Sequence, residues 1–148
     1  MAVLEKVKEE IKNGLLDERL IDIYVDEGTL AYQKKRYLSA LNKFEELYGT
    51  RDISVFSAPG RSEVGGNHTD HQHCQVLAAG LNLDVIAIVS KTDDGVIKIV
   101  SDHRDIEPID LGTTQKREDE EGTSKALIRG VAAKLKEDGY RIGGFVAY

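Results

Sequence analysis

Asp84-Val85-Ile86-Ala87-Ile88-Val89-Ser90-Lys91, Thr92-Asp93-Asp94-Gly95 and Val96-Ile97-Lys98-Ile99-Val100-Ser101 follow one another without a break, and the fold turns on how they are read. The first run, rich in Val and Ile, has the composition of a buried strand. Asp93-Asp94-Gly95 is a hairpin turn signal, because Asp and Gly accept the backbone angles of tight turns. Val96 to Ser101 is then expected to be its partner strand, and Ile106 to Leu111 the third strand of that meander. Upstream, Ile53 to Ala58 predicts a strand bounded by Pro59-Gly60, while Val76 to Leu81 is ambiguous. Downstream, Thr113 to Gly122 is polar and charged and predicts a mobile loop. Thr123-Ser124-Lys125 opens a helix whose Leu127, Val131 and Leu135 share a face and which Gly139 closes. Gly143 to Tyr148 has the look of a strand just begun.

The first fifty residues carry a helical period instead. Val3, Leu4, Val7 and Ile11 recur at helical spacing, with Asn13-Gly14 as a stop. Asp17 is placed to cap a short second helix bearing Leu20, Ile21 and Tyr24. A longer helix follows from near Glu27 to Tyr48, ended by Gly49, with Leu30, Tyr37, Leu38, Leu41, Phe44 and Leu47 as its stripe. Lys34, Lys35, Arg36, Lys43 and Glu46 fall largely on the other face and are expected to be solvated. The organisation is a helical arm over residues 1–50 and an α+β domain over residues 51–148.

Composition narrows the function. The 148 residues are 41% hydrophobic and 31% charged, as in a folded globular chain rather than a disordered one. The 20 Lys and Arg are outnumbered by 26 Asp and Glu, giving a net charge of −6, so no nucleic-acid partner is expected. No apolar run approaches the roughly 20 residues that span a bilayer, so no membrane partner is expected either. The acids within Met1 to Glu10 exclude a secretion or transit signal. A lone Cys74 fits a reducing cytoplasm, and no partner base marks it as a nucleophile.

Chemistry concentrates in Ala58-Pro59-Gly60-Arg61-Ser62-Glu63-Val64-Gly65-Gly66-Asn67-His68-Thr69-Asp70-His71-Gln72-His73. The glycines let a ligand approach the main chain closely. Arg61 offers a planar fork of donors for an anion. His68 and Asp70 are suited to gripping hydroxyl groups, since a carboxylate accepting two sugar O–H bonds is a strong directional contact. The same residue types also suit an irregular polar loop whose His and Asp satisfy only local backbone groups.

Ala58-Pro59-Gly60-Arg61 followed by Gly66-Asn67-His68-Thr69-Asp70 resembles the galactokinase signature, and Val76 to Leu81 is similar to the segment that family places next. Galactokinases are GHMP small-molecule kinases. The resemblance implies the N-terminal portion of a GHMP-kinase fold over residues 51–148, a mixed sheet with helices on one face. It implies a complete enzyme of galactose metabolism that transfers the γ-phosphoryl of ATP, with Mg2+, to the C1 hydroxyl of galactose or a related hexose. Arg61 matches the arginine near that hydroxyl and the transferred group, where a fixed cation stabilises developing charge. His68 and Asp70 match residues that bond the sugar hydroxyls. Asn67 stands at a sugar-binding position where the family usually has Glu; Glu63 replaces a usual Asn and His71 a usual Tyr. These departures leave the choice of hexose open.

No Gly/Ser-rich phosphate loop occurs in the sequence, and the resemblance places that loop and the catalytic Asp beyond Tyr148. The chain is therefore expected to be a piece of the enzyme that is inactive alone and holds no ATP or Mg2+ itself. Two other readings stand beside this one. In one, the domain is a non-catalytic sugar sensor of the same superfamily. Alternatively, His68, Asp70, His71, His73 and Cys74 form a metal site, although one short segment rarely supplies a whole coordination sphere. Finally, an unpaired edge at Phe145 to Tyr148 and the apolar face of the last helix predict a homo-oligomer.

Overall fold

The computed structural model describes residues 3–66, 73, 75–102 and 104–148. Three helices come first: α1 (Val3–Lys12), α2 (Asp17–Tyr24) and, after a 3-10 turn at Glu27–Thr29, α3 (Leu30–Tyr48). The strands β1 (Ser54–Gly65), β2 (Leu77–Thr92), β3 (Val96–Ser101) and β4 (Arg104–Asp110) follow, then α4 (Ser124–Glu137) and β5 (Gly144–Ala147). The result is a mixed α+β fold, as expected. None of the described helices is long and apolar enough to cross a membrane.

Local rules set the helix ends. Gly14 at φ 78° and Gly49 at φ 73° take left-handed backbone where α1 and α3 stop. Asp17 is not a cap. It is the first residue of α2, the cap position is Leu16, and the Asp17 carboxylate meets Lys34 Nζ at 2.8 Å instead. Leu4, Ile11, Leu20, Tyr24, Tyr37, Leu41 and Phe44 form one buried cluster with Ile88 and Val146 of the sheet. Leu47, expected in that stripe, is exposed, whereas Gln33 and Ala40 are buried. The arm thus covers the sheet face presented by Val55, Ile86, Ile88 and Val146.

The strand order is β1-β2-β5-β3-β4, which corrects the expected meander. Asp93 to Gly95 does connect β2 to β3, but the two are not paired. β5 lies between them, antiparallel to β2 (Val89↔Ala147, Thr92↔Gly144) and parallel to β3 (Ile97↔Phe145). A connection across one intervening strand spans about 9–10 Å, within reach of three turn residues at roughly 3.3 Å each. Entry of β5 at that turn demands glycine. A Cβ on Gly144 would lie 2.7 Å from Thr92 Oγ1, 2.7 Å from the Val96 nitrogen and 2.8 Å from Asp94 Oδ1. Gly143 to Tyr148 therefore leads into a central strand, and the unpaired edge expected at Phe145 to Tyr148 does not exist.

Successive residues of β5 face opposite sides. Val146 joins the cluster under the arm, and Phe145 packs with Ile97, Ile109, Leu111 and Ala132 beneath α4. α4 is capped by Thr123, whose hydroxyl accepts the Ala126 N–H at 3.2 Å. Its buried residues are Arg129 and Ala132, while Leu127, Val131 and Leu135 are 71%, 55% and 42% exposed. The apolar face of Leu127, Val131 and Leu135 is thus left uncovered, as expected, while Arg129 and Ala132 turn toward the sheet. The segment expected as a mobile loop is also ordered by a buried contact. Glu120, in a 3-10 turn at Glu118–Glu120, accepts from Arg129 Nε at 2.7 Å and Nη2 at 2.8 Å. Arg129 Nη1 donates to the carbonyls of Asp110 at 3.0 Å and Thr113 at 2.6 Å.

Candidate functional site

β1 does not stop at Pro59-Gly60 but runs through to Gly65, paired with β2 throughout. The alternation of the ladder explains how proline is tolerated. Ile88 exchanges both main-chain hydrogen bonds with Tyr148, at 2.8 and 3.0 Å, so its polar groups point toward β5. In antiparallel pairing, the residue opposite, Val55, is then in a non-hydrogen-bonded pair, and so is Pro59 opposite Asp84, four residues along in the same register. Pro59 therefore turns the position of its missing N–H outward from an edge strand, and no ladder bond is lost.

Past Asp84 the sheet narrows. On its far side β2 is paired only from Ile88, opposite Tyr148, to Thr92, so Pro59–Gly65 and Leu77–Leu83 project as a two-stranded ribbon. Its register shifts between Pro59 and Arg61 and again between Glu63 and Gly65, marking bulges that re-aim side chains. At the tip Gly66 has φ 110°, and a Cβ there would sit 2.8 Å from Val76 Cγ1 and 2.9 Å from the Gln75 carbonyl oxygen. Glycine is required at this position on both counts. Arg61 lies in the ribbon, exposed, and forms no hydrogen bond or ion pair among the described residues. Asn67, His68 and Asp70 lie outside the described residues, as do His71 and Cys74 of the metal reading; His73 is described and exposed.

The sequence reasoning missed a polar cluster at the ribbon's base. Asp84 is in phase with inward-facing Ile86 and Ile88, and its side chain is 3% exposed. Its Oδ1 accepts from Arg36 Nη1 at 2.5 Å. Its Oδ2 accepts from Tyr24 Oη at 2.8 Å and Ser57 Oγ at 2.5 Å. Tyr24 Oη, having donated its proton, accepts one from Tyr37 Oη 2.9 Å away. Arg36 Nη2 also donates to the main-chain oxygen of Asp84 at 2.7 Å. Burial opposes ionisation of Asp84, yet donors from Ser57, Arg36 and Tyr24 hold its pKa below the ordinary carboxylate value. Burial, and bonds to Tyr37 and Asp84, push the Tyr24 phenol well above its ordinary value. Arg36 is thus not on a purely solvated face. The signal lay in Asp84 itself, since a carboxylate in step with buried apolar residues needs a cationic partner.

The N-terminus of α4, after Gly122, is the kind of place that holds phosphate. Here Glu118, Asp119, Glu120 and Glu121 precede it, and Thr123 is already spent on the cap. This arrangement does not fit a nucleoside triphosphate.

A glycine-bearing ribbon that carries exposed Arg61 thus projects from the five-stranded mixed sheet. Residues 42–91 match the galactokinase galactose-binding signature, a span that runs from the last turns of α3 to Lys91 in β2. Over 102 residues the chain is 32% identical to a galactokinase of Streptomyces coelicolor, covering 69% of this chain and 26% of that protein. A galactokinase of Lactococcus lactis is 27% identical over 119 residues, 77% of this chain and 29% of that protein. The crystal structure of Lactococcus lactis galactokinase complexed with galactose superposes with a TM-score of 0.62 at 27% identity, over 72% of this chain and 28% of that one. The resemblance to galactokinases is thereby borne out in sequence and in fold. The chain spans about a quarter of the length of these relatives.

Proposed function

We propose that this chain is the galactose-binding part of a galactokinase-like sugar 1-kinase. The match of residues 42–91 to the galactose-binding signature carries the reading. The fold likeness to a galactokinase solved with galactose supports it. In this reading Asn67, His68 and Asp70 bond the sugar hydroxyls, and Arg61 faces the C1 hydroxyl, where its charge offsets the negative charge of the reacting group. ATP and Mg2+ serve the complete enzyme, in the cytoplasm, and are held by residues other than those described. The acidic N-terminus of α4 is consistent with that division, and the 148-residue chain alone binds sugar without phosphorylating it. The exposed Leu127, Val131 and Leu135 give a face through which copies of the chain could associate.

Calorimetric titration of the chain with galactose, with glucose as comparison, tests the reading. Galactose is expected to bind, and Asp70→Ala to weaken it by about 1–3 kcal/mol, the size of a hydrogen bond to a charged group. Absence of galactose binding overturns the reading, and an unchanged affinity in Asp70→Ala removes that residue from it. ATP-dependent phosphorylation by the chain alone overturns the division between sugar and nucleotide parts.

A further inference from the structure

Arg36 and Tyr24 lie in the arm, outside the span that matches the signature, yet they converge on the residue from which the sugar-binding ribbon projects. The geometry at that point is specific. The Ile88 carbonyl and N–H are met by Tyr148, and Asp84, in phase with it, turns its carbonyl to the same side of β2. β5 does not reach that far, so no strand is present to supply a donor. Arg36 Nη2 supplies it at 2.7 Å, while Nη1 binds the Asp84 carboxylate. The guanidinium stands where the next strand would be. Directly across, Pro59 begins the irregular stretch that leads to Arg61, so the ladder alone does little to fix the ribbon's direction.

We infer that Asp84, gripped by Arg36 and Tyr24 of the arm and by Ser57 of β1, is a positioning residue that sets the angle of the ribbon and so places Arg61 for the sugar. The arm is then part of the sugar-binding unit rather than an appendage. This rests on the galactose-binding reading above. It extends the site to Tyr24 and Arg36, which no glycine-rich pattern would mark.

The test is galactose titration of the 148-residue chain carrying Arg36→Met, Asp84→Asn or Tyr24→Phe, with melting temperatures measured in parallel. Arg36→Met and Asp84→Asn are expected to weaken galactose binding by about tenfold or more through misplacement of the site. Tyr24→Phe removes one hydroxyl, keeps the ring and so preserves the fold, and is expected to weaken binding by about threefold. Arg36→Lys, which keeps the charge but cannot bridge carboxylate and carbonyl as a fork, is expected to restore only part of the affinity. Glu120→Gln disturbs the other buried ion pair, remote from the ribbon, and is expected to lower the melting temperature while leaving galactose affinity intact. Wild-type affinity in Tyr24→Phe and in any folded Arg36 or Asp84 variant overturns the inference, as does an equal loss in Glu120→Gln. If the unmodified chain binds no galactose, the functional reading fails separately, and backbone amide exchange judges the positioning role. Tyr24→Phe must then speed exchange at Arg61 to Gly65 while leaving Ile97 to Ile99 unchanged; equal effects, or none, overturn it.

Discussion

Arg36–Asp84 and Arg129–Glu120 are both arginine–carboxylate pairs with a buried acid, and both arginines share their fork between that acid and main-chain carbonyls. They differ in reach. Arg129 meets a carboxylate nine residues away and closes its own loop onto its own helix. Arg36 meets one 48 residues away and ties the arm to the ribbon base. They differ in exposure as well: the Arg129 and Glu120 side chains are 3% and 4% exposed, whereas Arg36 is 25% exposed against 3% for Asp84. In each case the guanidinium answers main-chain acceptors that no strand or helix satisfies, a demand that buried backbone always makes. The local pair orders a loop, and the distant pair orders the relation between two parts of the molecule. Only the second has leverage on the candidate site.

The largest effect that separates the two is expected from Asp84→Ala. It leaves Tyr24, Ser57 and Arg36 Nη1 without their carboxylate acceptor at the arm–ribbon junction, while the main-chain oxygen at position 84 stays available to Nη2. A loss of about 3–5 kcal/mol in urea-denaturation stability is expected, the usual result of breaking a buried pair from one side. A loss under about 1 kcal/mol would place the pair with ordinary surface ion pairs and dissolve the contrast.

Acid should act on both pairs in the same sense. Asp84 is held low by Ser57, Arg36 and Tyr24 against its burial, and Glu120 is held low by Arg129 against its own desolvation. A carboxyl whose folded pKa lies below its unfolded value adds stability that is present above the unfolded value, about 4 for these groups, and is lost as pH falls through the folded one. The urea midpoint should therefore decline below about pH 4, and the Glu120→Gln variant should decline less steeply. Alkali should discriminate between the two regions. The raised Tyr24 phenol adds stability that is present below about pH 10 and lost above it, as the unfolded chain ionises first. Tyr148, raised by burial and by Asp102, adds to the same limb. Tyr24→Phe should flatten the alkaline limb and also soften the acid limb, because it removes one of the donors that hold Asp84 low; an unaltered alkaline limb would detach Tyr24 from the cluster.

The smallest effect concerns the local pair. Thr123 caps α4 and also donates to the Glu120 carbonyl at 2.6 Å. Thr123→Ala should reduce stability by about 1 kcal/mol, as the loss of a helix cap usually does. Galactose affinity should not follow. A fall in affinity would mean that the Glu120 region also reaches the ribbon, against the contrast drawn between the two pairs.

Part of the ribbon was legible for a local reason. Pro59-Gly60-Arg61 and Gly65-Gly66 announce a strand that something must approach closely, and Gly66 is indeed a position that no other residue could hold without displacing Val76. Proline, however, reads as a strand boundary in the sequence, although at an outward-facing edge position it interrupts nothing. Lys34, Lys35 and Arg36 read alike as a basic run, and only Asp84, far along the chain, distinguishes the third from its neighbours.

The sequence by itself determined several helix ends, because glycine stops and capping hydroxyls act within a turn or two: Gly14, Gly49 and Thr123 do what their chemistry dictates, although Asp17 does not cap α2. It determined the apolar strands, since Val and Ile runs leave few alternatives, and it determined the galactokinase resemblance through a contiguous motif. Tertiary structure decided which strands are neighbours. A four-residue segment at Gly144–Ala147 enters between β2 and β3, and nothing in its periodicity names its partners. Tertiary structure also decided which face of α4 is covered and which charges are buried. The reason is the same in each case. Periodicity records that a face must be hidden or a charge answered, but the group that answers it is supplied by residues distant along the chain, and only folding brings them within reach.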